Sequence, residues 1–437
     1  MGKYFGTDGI RGIAGESLTV ELAYRVGLGV KAVFKPKRLV IGKDTRESSD
    51  ALALAVATGA MQAGVDVLYA GTASTPMVAH YSREQKIPGV MITASHNLYQ
   101  DNGIKVFDNG YKLKAKDEEA LEARLDSGEI PQAERFGSFY MSDEVEQSYE
   151  QLFASLGLER ANLSVAIDTA HGATHRIAKK VFADIVDEYV QIGDAPDGRN
   201  INAGFGSTAL EAITKTAEAN KSDIGLAFDG DGDRVLVVDH RENVYDGDLL
   251  IYILATYLKA KGELKKDTVV LTKMSNPGIV RALKDQGIKV VATDVGDKYV
   301  QAEMLKNGYV LGGENSGHLI LGDVLQTGDG MVAAAYLLRI LHETRRTLAS
   351  LVEDVEIYPQ QTVNVKDVDK GVVDDKDVKQ EVKNLKKRLG TDSLLLVRPS
   401  GTEPVVRITV SHRDENLVEE TIERLQALIL KKGGGRT

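Results

Sequence analysis

The run Asp229-Gly230-Asp231-Gly232-Asp233-Arg234 places three carboxylates at alternate positions, separated by glycines. Such a run can turn several oxygens onto one hard cation, and without a cation its charges repel one another. An EF-hand loop opens in the same way. It needs Gly at its sixth position and Glu at its twelfth, where this chain has Arg234 and His240. A solvated acidic turn between two strands is the plain alternative. Mg²⁺ suits the run better than Ca²⁺ if a phosphate oxygen completes its shell.

Three further loops gather reactive side chains. Ser95-His96-Asn97 follows the apolar run Gly89 to Ile92. Ser95 could be a nucleophile or an ordinary helix N-cap. Adjacent side chains on a strand point to opposite faces, so Ser95 and His96 need not form a relay. Lys105 follows closely, either as a base with a lowered pKa or as a fixed charge for phosphate. In Arg398-Pro399-Ser400-Gly401-Thr402-Glu403-Pro404, with Arg407 just beyond, hydroxyls, a glycine and two arginines meet the needs of a phosphate group. Gly313-Glu314-Asn315-Ser316-Gly317-His318 offers a carboxylate, an amide, a hydroxyl and an imidazole, a mixture suited to sugar hydroxyls.

Other patterns carry less. Gly27-x-Gly29-x-x-Ala32 matches a dinucleotide fingerprint but lies inside a helical pattern, and no P-loop occurs. His171 and His175 are spaced i, i+4 without the intervening Glu of a zincin.

The reactive loops need strands to carry them. Arg38 to Ile41, Val65 to Tyr69 and Gly89 to Ile92 read as strands, separated by helical stretches over Ser48 to Ala63 and Thr75 to Gln85. The layout returns at Leu163 to Ile167, Asp187 to Ile192 and Asp223 to Phe228. It returns again at Thr268 to Leu271, Ile288 to Ala292 and Gly308 to Leu311. Each third strand runs into one of the loops, and open α/β sheets bind ligands beyond the carboxyl ends of their strands. A fourth segment from near Gln360, with helices over Lys379 to Leu389 and Glu415 to Lys431, reads as a small α+β unit. The expected fold class is α/β: three repeated mixed α/β domains over 1–153, 154–252 and 253–358, plus a smaller C-terminal α+β domain over 359–437, around a central cleft.

The chain has 437 residues with 54 Lys and Arg against 64 Asp and Glu, a net charge of −10, and no cysteine. That excludes disulfides, thiolate metal sites and a cysteine nucleophile, and it argues against a nucleic-acid partner. The longest apolar run, Met331 to Leu338, stops at Arg339, well short of the ~20 residues of a membrane span. The opening Met1 to Gly6 has no apolar leader pattern. A protein of the cytoplasm with no membrane partner is expected.

Taken in order, the four loops resemble those of the α-D-phosphohexomutase family across essentially the whole chain. The resemblance implies that Ser95 is the phosphorylated serine, and that Ser95, Asp229, Asp231 and Asp233 hold Mg²⁺. It further implies that Arg11, His96 and Lys105 serve phosphoryl transfer, and that Arg234, Asp297, Glu314, Ser316 and His318 bind the sugar. Arg398, Ser400, Gly401, Thr402 and Arg407 would hold the non-reacting phosphate. Within the family, Tyr4 to Gly12, Asn200-Ile201-Asn202, Met274-Ser275-Asn276 and Val295 to Tyr299 are similar to the bacterial members that act on amino-sugar phosphates. The implied reaction interconverts glucosamine 6-phosphate and glucosamine 1-phosphate, feeding UDP-N-acetylglucosamine and cell-wall synthesis. The implied activator is glucosamine 1,6-bisphosphate or glucose 1,6-bisphosphate, and the implied assembly a homodimer. The same chemistry on glucose or mannose phosphates is the near alternative, and a non-catalytic phosphosugar-binding protein the distant one. Three departures stand out: Leu98 where many members have proline, Asn315 in place of glutamine, and Phe205-Gly206-Ser207-Thr208-Ala209 in place of Cys-Gly-Ser-Thr-His.

Overall fold

The computed structural model describes residues 2–6, 8–130, 132–399 and 405–434. Among these residues the strands form four sheets, of eight, five, four and three strands.

One pattern recurs in the first three sheets. Arg38–Lys43 is flanked in parallel by Asp66–Thr72 and Gly89–Ile92. Ala161–Asp168 is flanked by Val186–Ile192 and Ile224–Phe228, and Thr268–Thr272 by Lys289–Thr293 and Leu311–Gly313. In each sheet the last of these strands then pairs antiparallel with the next in the chain: Asp101–Asp108, Val235–Val238 and Leu319–Leu321. The three reactive loops are therefore the same topological element three times over, the turn from the third parallel strand into an antiparallel one. Gly89–Ile92, Ile224–Phe228 and Leu311–Gly313 are buried along their full length, as strands covered on both faces must be.

Helix Val20–Phe34 crosses helix Ser49–Gln62 at glycine contacts. A Cβ on Gly27 would come within 2.1 Å of Val56 O, and one on Gly59 within 2.0 Å of Tyr24 O. The Gly27-x-Gly29 pattern thus serves helix packing rather than a dinucleotide.

The third sheet departs from the sequence reading. The strand expected over Gly308 to Leu311 begins only at Leu311, because Gly308, at φ 70°, ends helix Asp297–Asn307. Its two glycines are steric requirements: a Cβ on Gly312 would meet Met304 Sδ at 2.7 Å, and one on Gly313 would meet His318 O at 2.5 Å.

A continuous apolar core runs through the first three sheets, from Val40 to Leu348. The C-terminal unit has its own, from Val365 to Ile429. There Val405–Ser411 lies between Gln360–Lys366 and Leu394–Pro399, antiparallel to both, with helices Lys376–Leu389 and Glu415–Lys432 alongside. The chain enters this unit past a two-way clamp. Asn276 Nδ2 donates to Tyr358 O at 2.9 Å, and Tyr358 N donates to Asn276 Oδ1 at 3.1 Å.

Candidate active site

Ser95 is buried and has a left-handed backbone, φ 53°. That conformation costs a serine on the order of 1–2 kcal/mol and persists only where surroundings enforce it. No helix follows, so the N-cap reading falls: the segment turns and re-enters the sheet as Asp101–Asp108. The turn also breaks strand alternation, and His96 Nδ1 comes within 3.2 Å of Ser95 Oγ. Burial, with Arg234 and Arg11 nearby, lowers the His96 pKa to about 4, so the ring is neutral at pH 7. Ser95 Oγ donates to Asp229 Oδ2 at 2.6 Å.

Asp229, Asp231 and Asp233 are all buried, and one oxygen from each lies within 4.8 Å of the others. Asp231 Oδ1 and Asp233 Oδ1 have no hydrogen-bond partner. The opposite oxygens are occupied: Thr75 Oγ1 donates to Asp231 Oδ2 at 2.5 Å, and Lys105 Nζ to Asp231 Oδ2 at 2.8 Å and Asp233 Oδ2 at 2.9 Å. Burial, then the charges of Asp231 and Asp233, push the Asp229 carboxyl well above the usual range. An all-oxygen set with unsatisfied buried carboxylate oxygens fits a hard divalent cation. The intervening glycines are required too. A Cβ on Gly230 would strike Ser95 O at 2.7 Å, and Gly232 has φ 73°.

A closed ring of alternating charge ties three sheets together. Lys105 Nζ contacts Asp8 at 3.0 Å, and Lys112 Nζ donates to Asp8 Oδ1 at 2.7 Å and also to Asp297. His318 Nε2 lies 3.3 Å from Asp297, its Nδ1 lies 3.5 Å from Asp233, and Asp233 returns to Lys105. Burial disfavours the Lys105 charge, but Asp231, Asp233 and Asp8 outweigh it and hold its pKa well above normal. That direction favours a fixed charge over a base with a lowered pKa, with the Lys105 ammonium seated between Asp231, Asp233 and Asp8. In His318 burial is likewise outweighed, by Asp297 and Asp233, and its pKa rises. Arg11 Nη1 donates to Ala94 O at 2.9 Å and Nη2 to Asp8 Oδ2 at 2.5 Å. The Arg234 backbone N–H donates to Asp229 Oδ1 at 3.1 Å.

Glu314 Oε1 accepts from Gly296 N at 3.0 Å, and burial raises its pKa. Ser316 is half-buried beside it. Their loop is pinned by Val235 N on Gly317 O at 3.1 Å and Gly247 N on Asn315 O at 3.0 Å. In the C-terminal unit Arg398 stands directly opposite Arg407 across two antiparallel strands. Burial, then Arg407, lowers the Arg398 pKa. Like charges in that register destabilise a sheet unless an anion joins them. Arg407 Nε donates to Asn364 Oδ1 at 3.1 Å. Ser400, Gly401 and Thr402 lie outside the described residues.

Sequence reasoning assigned no role to Asp8, Arg46, Thr75, Lys112 or Asn202, all of which touch the site. Arg46 is wholly buried and donates to Ser95 O, Asn97 O and Leu98 O. One signal was available for it: Asp44-Thr45-Arg46 sets an ion pair immediately after an apolar strand.

The comparisons agree with this geometry. Models of the phosphoglucomutase/phosphomannomutase family match in order: alpha/beta/alpha domain I over residues 2–131, domain II over 145–243, domain III over 246–358 and the C-terminal domain over 362–428. The phosphoglucosamine mutase of Geobacillus kaustophilus is 43% identical, over 99% of this chain and 100% of its own length. Among solved structures, a phosphoglucomutase/phosphomannomutase family protein from Burkholderia thailandensis superposes with a TM-score of 0.83 at 21% identity, over 99% of this chain and 98% of its own. An N-acetylphosphoglucosamine mutase from Aspergillus fumigatus, solved with GlcNAc-6P and magnesium, gives 0.67 at 17% identity, over 98% and 96%. With four domain models matched in sequence and identity sustained from end to end, the chain belongs to the phosphoglucomutase/phosphomannomutase family, the α-D-phosphohexomutases.

Proposed function

We propose that this chain interconverts glucosamine 6-phosphate and glucosamine 1-phosphate, with Ser95 as the phosphoryl carrier. The observation that carries the reading is the Ser95 hydroxyl, 2.6 Å from Asp229 in a buried loop of three carboxylates. The substrate follows from 43% identity to phosphoglucosamine mutases over the full chain.

Phosphoserine 95 gives its phosphoryl group to the O1 hydroxyl of glucosamine 6-phosphate. The O1–P bond forms, the Ser95 Oγ–P bond breaks, and the O1 hydroxyl proton ends on Ser95 Oγ; in the return step the Ser95 proton ends on the O6 oxygen. The 1,6-bisphosphate turns over, and the 6-phosphoryl group passes to Ser95 Oγ, leaving glucosamine 1-phosphate. Asp229, Asp231 and Asp233 would hold Mg²⁺, which when bound neutralises charge on the transferring group. Lys105 and Arg11 supply fixed positive charge beside it. Glu314, Ser316, His318, Arg234 and Asp297 grip the sugar. Arg398 and Arg407, with Ser400, Gly401 and Thr402, hold the phosphate not being transferred. Because that phosphate alternates between the 1- and 6-positions, a unit with its own core suits the task, since it can release and recapture the intermediate. On this reading glucosamine 1,6-bisphosphate or glucose 1,6-bisphosphate primes Ser95, and a homodimer in the cytoplasm is proposed with it.

The test is ³¹P NMR of the primed enzyme with Mg²⁺ and, in turn, the 6-phosphates of glucosamine, glucose and mannose. The reading expects the highest kcat/KM for glucosamine 6-phosphate. Preference for either neutral sugar would reassign the substrate, and no turnover of any of the three would remove the mutase reading.

A further inference from the structure

The Ser95 loop is held from two sides. From its own sheet, the Arg46 guanidinium sends Nη2 to Ser95 O at 2.9 Å and to Asn97 O at 2.9 Å, and Nη1 to Asn97 O at 3.0 Å and Leu98 O at 2.6 Å. Its remaining donor, Nε, meets Asp44 Oδ2 at 2.9 Å. Asp44 Oδ1 is in turn fixed by the Arg46 N–H at 3.0 Å and Ser49 Oγ at 2.8 Å. From the second sheet's unit, Asn202 Nδ2 donates to Ser95 O at 2.9 Å and Asn97 O at 2.8 Å.

Burying a guanidinium is costly unless every donor is used. Here the whole fork goes to one ion pair and to the loop carbonyls of Ser95, Asn97 and Leu98. Those carbonyls are that of a serine held at φ 53°, a conformation that the loop would leave if released, and two that follow it. Asn202, itself at φ 58°, is 4% exposed. A Cβ on Gly230 would come within 2.8 Å of its Nδ2 and 2.7 Å of Ser95 O. The aspartate loop, Asn202 and the Ser95 carbonyl are thus packed on one another. Leu98 is exposed, and the 2.6 Å bond from Arg46 to its carbonyl fixes the far end of the turn.

We propose that Arg46 and Asn202 are positioning residues for phosphoryl transfer: they hold the same loop carbonyls from two domains, keeping Ser95 Oγ in register with the Asp229 loop. The proposal rests on the reading of Ser95 as the phosphoryl carrier. Neither residue touches the reacting atoms. They act through the backbone of the loop.

The experiment uses the full chain with Mg²⁺, comparing wild type with Arg46→Lys, Asn202→Ala and the double variant. Arg46→Lys keeps the charge opposite Asp44 but loses the planar fork. Four quantities are read: melting temperature, phosphate on Ser95 after glucose 1,6-bisphosphate, kcat and KM for glucosamine 6-phosphate, and hydrogen exchange of residues 95–98. Each single variant should lower kcat about 10- to 100-fold with KM within about 2-fold, the scale of a misplacement near 1 Å. The double variant should lose less than the product of the singles, because both act on the same carbonyls. Exchange should quicken at 95–98 and not through the rest of the first sheet.

Wild-type kcat in the variants, counted per phosphorylated site, would overturn the proposal. So would a kcat loss that only tracks melting temperature and sheet-wide exchange, since that marks a structural role. If Ser95 of the wild type takes no phosphate, the carrier reading fails and the proposal falls with it. If it does and the variants match it, the positioning proposal fails alone.

Discussion

Ser95 Oγ and Asp229 Oδ2 are 2.6 Å apart, although 134 residues separate them in the chain and they follow strands of different sheets. The contact exists because one topological unit is used three times. Each copy ends its third parallel strand at the same cleft, so the serine, the aspartates and His318 arrive there on equivalent turns. The ring from Lys105 through Asp8, Lys112, Asp297, His318 and Asp233 then locks the three copies at that point.

Lys105 should matter to the fold before it matters to turnover. Its ammonium compensates the buried carboxylates of Asp231 and Asp233 and the half-buried one of Asp8, and removing one partner from such a cluster costs about 3–5 kcal/mol. Lys105→Met in EDTA should lower the urea midpoint accordingly, with Lys105→Arg losing much less. An unchanged midpoint for Lys105→Met would mean that the ring contributes nothing to stability.

Asp231 and Asp233 each keep one buried oxygen without a hydrogen-bond partner, the Asp233 one having His318 Nδ1 at 3.5 Å. Removing a cation with EDTA should abolish activity, and added Mg²⁺ should restore it. Asp231→Asn should need at least about 10-fold more Mg²⁺ for half-maximal rate, since one ligand charge is lost. Activity in EDTA equal to that in Mg²⁺ would dismiss the metal reading.

Arg398 and Arg407 stand opposite each other across two antiparallel strands. Inorganic phosphate should therefore raise the melting temperature of the wild type. Arg398→Ala should weaken that effect and raise KM about 10-fold with little change in kcat, the pattern of lost ground-state binding. A fall in kcat at constant KM would place Arg398 in the chemical step instead.

Asp248 makes the fold pH-dependent away from the chemistry. It is buried, and it accepts from Asn276 N at 2.7 Å, beside the clamp on Tyr358. Burial, then Asp246, raises its pKa to about 7 from 3.8. The fold thus favours the protonated acid: the contribution is complete below about pH 4 and is lost as pH rises through 7, roughly 4 kcal/mol in all. Asp248→Asn keeps an acceptor for Asn276 and carries no charge. From pH 5 to 8, urea midpoints of wild type should fall relative to those of the variant, whereas parallel curves would contradict the assignment.

Much of this was legible in the residues themselves. Gly89–Ile92, Ile224–Phe228 and Thr268–Thr272 are short apolar runs ending in polar loops, and Asp229 to Arg234 announces its chemistry locally. Arg46 and Asn202 did not, because their work is done on carbonyls 49 to 107 residues away, and no local pattern encodes that. Leu311–Gly313 was displaced for another reason. Its glycines weaken strand propensity, and the close approach of Met304 and Val270 to Gly312 and of His318 to Gly313 explains them. From the sequence Ser95 reads as a nucleophile at a strand's end or as a helix N-cap, and nothing in its neighbours signals a left-handed serine.

The most direct measurement is a single turnover. Enzyme primed with glucosamine 1,6-bisphosphate is freed of ligand, mixed with one equivalent of glucosamine 6-phosphate and Mg²⁺, quenched, and analysed by peptide mass. The account predicts that phosphate leaves Ser95 as the 1,6-bisphosphate appears, and that Ser95→Ala takes up none. Phosphate that stays on Ser95, or that rides on another residue while product forms, would contradict it.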